Sequence, residues 1–182
     1  MTAVTAIAAF AAWTGAAVIV LGDGRRGLAA GVLLVAVGFT ALAWTRGSWL
    51  EGSLLLAGGV VCAGERIRRG RQEWGLMPPG STPRLILAVV GGILSLWFAA
   101  SVTTGPDAQL RFACLAVLGL TVGRVLQGQA AAPVLTASAG LAIALASASA
   151  LAPAAPGFAP YLIGGLIAGG VSFLPVAEHR AA

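Results

Sequence analysis

Charge is what this chain has least of. Only 9% of its 182 residues are Asp, Glu, Lys or Arg, where a soluble domain carries about 25%. There is no lysine and no asparagine, so all eleven cationic side chains are arginine. One histidine, His179, stands near the C-terminal end, and the two cysteines, Cys62 and Cys114, fall in separate apolar runs. A nucleophile needs a base beside it, and a transition-metal site needs several His or Cys ligands. The sequence therefore predicts no catalytic residue, no metal site, no bound cofactor and no enzyme. The glycine-rich stretches lack the lysine of a phosphate loop. The net charge of +5 does not point to nucleic acid, because the arginines sit between apolar runs, where membrane topology accounts for them. The stretch from Met1 to Val20 holds no Lys or Arg, so the basic region of a signal peptide is missing and this segment reads as a retained helix.

What the chain does have is long hydrophobic runs. Apolar residues make up 58% of it and recur in extended stretches with few charges inside them. About 20 helical residues at ~1.5 Å each cross a hydrocarbon core of about 30 Å. Lipid offers no hydrogen bonds, so only helices and closed barrels span it, and the runs lack the alternation of barrel strands. The expected fold is all-α: one polytopic transmembrane helix bundle over 1–182, with spans near 3–21, 27–45, 49–64, 84–104, 108–126, 131–152 and 158–177. The breaks carry turn residues, such as Gly22-Asp23-Gly24, Thr45-Arg46-Gly47-Ser48 and Gly105-Pro106-Asp107. The third span is short and holds Glu51, and a six-span version with one run lying at the interface is the alternative.

Orientation follows from the arginines. With the loop 65–83 in the cytoplasm, Arg25, Arg26, Arg66, Arg68, Arg69, Arg71, Arg84, Arg124 and Arg180 lie inside, and only Arg46 and Arg111 lie outside. That bias places the N-terminus outside and the C-terminus in the cytoplasm of a bacterial inner membrane. The two cysteines then lie near opposite faces, which argues against a disulfide. Two internal repeats fit the sequence. One lays 30–65 over 112–147 as inverted three-helix units plus a seventh helix. The other reading is three hairpins, with Gly31, Gly92 and Gly140 in the first helices and Gly58, Gly119 and Gly165 in the second. The segment Gly92-Ile93-Leu94-Ser95-Leu96, with Pro106 and Gly119 beyond it, resembles the hairpin repeat of the HdeD-like acid-resistance membrane proteins. Glycine, leucine and proline carry that likeness, and any helical hairpin of this composition supplies them.

Ionisable residues inside a membrane are functional candidates by default, because burying one there is costly. Glu51 and Arg111 fall at the same depth near the outer face, which makes them a candidate interhelical ion pair. A local partnership of Glu51 with Arg46 competes with it. Arg124, within a turn of the inner end, is expected to snorkel. Arg66, Arg68, Arg69, Arg71 and Trp74 form a basic, aromatic-tipped loop suited to anionic lipid or a cytoplasmic partner. Gly27 and Gly31, Gly119 and Gly123, and Gly165 and Gly169 are spaced four apart, as in close helix packing. Thr136, Ser138, Ser147 and Ser149 give the sixth span hydroxyls, which can bond back to their own helix. The expected partners are the lipid bilayer and other membrane subunits or a second copy, not nucleic acid. The expected function is a small non-catalytic accessory or scaffold subunit, or a stress-associated membrane factor. The alternative is a transporter or channel-like facilitator for a neutral or weakly polar solute.

Overall fold

The computed structural model describes residues 2–68, 74–75, 82–102, 107–128, 130–152 and 157–174. Among them there is no strand, and seven α-helices follow the apolar runs: α1 (Thr2–Leu21), α2 (Arg25–Thr45), α3 (Trp49–Arg68), α4 (Thr82–Val102), α5 (Ala108–Gln127), α6 (Ala131–Ala148) and α7 (Ala159–Gly170). Single turns of 3-10 helix extend α6 through Ser149–Leu151 and α7 through Val171–Phe173. Four segments are long and apolar enough to cross a membrane: Ala3–Leu21, Arg25–Thr45, Ala108–Gln127 and Ala131–Leu151. The apolar stretches of α4 and α7 are shorter. The third helix carries Glu51 in its first turn and Arg66 and Arg68 in its last, which dilutes its hydropathy.

Turn chemistry sets the helix ends. Between α2 and α3, Gly47 adopts φ +84°, the left-handed region in which a Cβ is strained. Its amide donates to the Trp44 carbonyl, and the Ser48 amide reaches back to Ala43, both at 3.0 Å. This is a Schellman cap, which satisfies the last carbonyls of α2 and reverses the chain.

The helices pack in two layers. In one, α1, α2 and α3 lie side by side; in the other, α5, α6 and α7 do. The layers meet face to face, with α1 on α5, α2 on α6 and α3 on α7, and α4 lies across the α1–α5 edge. The pairs α2–α3, α4–α5 and α6–α7, which the hairpin reading joins, are each in contact. Close approach depends on residues without bulk. A Cβ on Gly15 would lie 2.6 Å from the Gly31 carbonyl oxygen, and one on Gly38 would lie 2.6 Å from that of Ala8. The α1–α2 contact is thus backbone against backbone, which maximises dispersion where no hydrophobic effect drives helices together. Phe39, Val32, Val35, Leu120 and Ile143 fill the centre and are fully buried. Of the described residues of α4 only Ala88 and Gly92 are buried, and its large side chains, such as Ile93, Leu96 and Trp97, stay exposed.

Candidate functional site

Charged side chains gather at the two ends of this bundle. At one end Asp23, in the turn before α2, accepts from two arginines, one on α4 and one on α5. Arg84, in the first turn of α4, reaches its Oδ2 at 2.9 Å, and Arg124, in the last turn of α5, binds its Oδ1. Arg124 also approaches the Gly22 carbonyl at 3.4 Å, and the Asp23 amide donates to the carbonyl of Gly75 at 3.0 Å. One carboxylate therefore clasps the starts of α2 and α4 and the end of α5. Arg124 is only 3% exposed, so the expected snorkelling is corrected: its guanidinium turns inward to a counter-charge that the sequence showed only as turn chemistry.

The basic segment divides at this same end. The helix α3 continues to Arg68, past the expected loop start at 65. Arg66 is buried one turn beyond buried Cys62, which removes it from the surface expected to meet lipid or a partner. Arg68 is exposed and lies 3.9 Å from Glu65, and Trp74 is exposed. Arg69 and Arg71 lie outside the described residues.

At the opposite end an open cavity of about 380 Å³ sits among α2, α3, α5, α6 and α7. Phe39, Leu42, Ala43 and Leu110 form its apolar walls, and Arg46, Glu51, Ser147 and Tyr161 its polar part. Both terminal nitrogens of Arg46 are engaged. Nη1 pairs with Asp107 Oδ1 at 3.3 Å and Nη2 donates to the Ala150 carbonyl at 3.2 Å. Ser147 donates to the Ile143 carbonyl of its own helix at 2.9 Å. Glu51, half-buried, makes no ion pair with any described residue. Phe39 in its wall, and Val35 and Ile143 in the core, are fully buried. Trp44 and Trp49 pack at 5.3 Å between ring centroids beside it, and the Trp44 indole donates to the Trp49 carbonyl at 3.2 Å.

Sequence spacing anticipated part of this. Glu51 and Arg111 are not joined in an ion pair among the described residues; the ionic contact at that end is Arg46 with Asp107, a partner hidden in the turn that precedes α5. Thr136, Ser138, Ser147 and Ser149 do bond back to their own helix, at 2.6 to 3.0 Å. Of the expected packing glycines, Gly27 is buried and Gly31 meets α1. A Cβ on Gly165 would stand 2.6 Å from the Leu54 carbonyl oxygen of α3, one on Gly169 3.5 Å from Val61, and one on Gly123 3.1 Å from Leu87 of α4. Gly119 is exposed, with nothing within 4 Å of where its Cβ would stand. Tyr161, Asp23 and Asp107 had no signal in periodicity. Among the described residues no three His, Cys, Asp or Glu come together as a metal site. No family model matches this chain, and no curated protein or solved structure matches it.

Proposed function

We propose that this chain is a multi-pass protein of a bacterial inner membrane that works without catalysis, as a small accessory or scaffold subunit or a stress-associated membrane factor. It crosses seven times, with the Asp23 end in the cytoplasm and the Arg46 cavity outside, in keeping with the arginine bias. One observation carries the functional reading: the interhelical ion pairs tie helix ends together, Asp23 to Arg84 and Arg124, and Arg46 to Asp107. Charges used in this way fix a shape rather than move a proton or a solute. The buried apolar centre at Phe39, Val35 and Ile143 supports the same reading, since a conducting path needs polar groups or water at mid-depth.

The test is isolation from native membranes in mild detergent. A stoichiometric membrane partner is expected, one that recovers this chain when the partner itself carries the affinity tag. The rival reading, a facilitator for a neutral or weakly polar solute, is favoured by the outer cavity alone. A lone homo-oligomer that gives solute flux in liposomes would replace the accessory reading with that one.

A further inference from the structure

We propose that the cavity at the Arg46 end is a binding site for a small organic cation, a protonated amine with a short apolar body. Its volume of about 380 Å³ falls within the range of small-molecule sites and corresponds to roughly a dozen waters. The lining is divided as such a ligand requires. Phe39, Leu42, Ala43 and Leu110 offer apolar and aromatic surface, and Glu51, Ser147 and Tyr161 offer oxygen atoms.

The sign of the ligand follows from the local charges. Arg46 and Glu51 line the cavity, and Asp107 faces it through Arg46. Arg46 is neutralised by Asp107, and its second terminal nitrogen is held by the Ala150 carbonyl. The carboxylate of Glu51 is left as the uncompensated charge of the lining. An anion would meet that carboxylate, and the one cation of the lining is already engaged. A neutral molecule would strip water from Glu51 and return at most a hydrogen bond without the charge. A divalent metal would want several oxygen ligands, and the lining holds one carboxylate. An ammonium group supplies the missing charge and donors for the oxygens around it, and Tyr161 in the wall adds an aromatic ring of the kind that cations favour. The same ammonium chemistry is found in a free amine and in the headgroup of phosphatidylethanolamine.

The experiment uses the full chain in phosphatidylglycerol nanodiscs, titrated calorimetrically with phenethylammonium and methylammonium chloride and with neutral 2-phenylethanol. Saturable binding of an amine is expected, with the alcohol weaker by about tenfold or more. Glu51→Gln should weaken the amine by about tenfold to a hundredfold, the range for a charge-assisted hydrogen bond. Glu51→Asp should restore part of it, and Arg111→Gln, at a residue outside the lining, should leave it unchanged. Doping the discs with phosphatidylethanolamine separates the sources: competition sensitive to Glu51→Gln assigns the site to the lipid headgroup, no competition assigns it to the free amine, and both uphold an ammonium site. Equal affinity for amine and alcohol would overturn the proposal. So would unchanged binding by a folded Glu51→Gln protein, or no saturable binding of either amine and no Glu51-dependent lipid effect. Co-isolation with a membrane partner is a separate readout, so failure here leaves the accessory reading standing, and the reverse holds too.

Discussion

Replacing Asp23 with Asn should loosen the bundle more than any other single loss of charge. The change keeps the shape of the side chain, removes the charge that two arginines share and leaves one acceptor oxygen where there were two. Arg84 is 29% exposed on its side chain and can turn to water, so its loss contributes little, within the ~0–1 kcal/mol of surface pairs. Arg124 is 3% exposed and cannot. Breaking a fully buried pair from one side costs about 3–5 kcal/mol, but Asp23 itself is 37% exposed, and this screening lowers the expected cost to about 2–3 kcal/mol. A double-mutant cycle between Asp23→Asn and Arg124→Leu, read by reversible unfolding in detergent with tryptophan fluorescence, isolates the pair. Arg124→Leu with Asp23→Asn should be more stable than Asp23→Asn alone, because the stranded charge is gone. A loss under about 0.5 kcal/mol for Asp23→Asn, or additive effects in the cycle, would refute the clasp.

Three further outcomes follow from the packing and the charges. Gly165→Leu should destabilise by ~2 kcal/mol or more, because the new side chain meets the Leu54 carbonyl of α3, whereas Gly119→Ala should not destabilise, since open space surrounds the new methyl and alanine is the better helix former; thermal melts of the two variants side by side check this. Gly47→Ala, at φ +84°, should cost about 1 kcal/mol through backbone strain alone, since open space surrounds the new methyl, and Gly47→Asn less, as measured by the same melts. Changing Arg68, Arg69 and Arg71 together to Gln should let a fraction of molecules insert with the segment 69–81 outside, detectable as labelling of a cysteine placed at Trp74 by an impermeant reagent; labelling identical to that of the parent would show that these arginines serve lipid or a partner instead.

Much of the helical layout was legible in the sequence, and little of the lateral arrangement. The expected spans at 27–45 and 108–126 correspond to helices over Arg25–Thr45 and Ala108–Gln127, because hydropathy and turn residues are local signals. Glu51 and the turn before α5 lie at one end of the bundle, since Arg46 lines a cavity with Glu51 and meets Asp107 there. The direction each helix face takes was not legible. Nothing in periodicity tells which helix end turns toward which, so the Asp23–Arg124 contact, 101 residues apart, could not be read, and spacing leaves Arg111 and Arg46 both open as partners of Glu51. Gly119 and Gly123 illustrate the same limit. Their spacing puts them on one face, but a neighbour lies over Gly123 only, because helices cross and separate along their length. The cavity depends on five helices converging with side chains of unequal size, a property that no single segment contains.

Residence in lipid is decided by fractionating the expressed chain by ultracentrifugation after an alkaline carbonate wash. The exposed flanks of α1, α4 and α7, with Ile7, Phe10, Ile93, Trp97 and Leu166 each more than half exposed, call for lipid or a partner within it to cover them. The chain is predicted to remain wholly in the membrane pellet and to enter solution, folded and helical, only with detergent. Recovery of folded, monodisperse protein in the wash without detergent would contradict it.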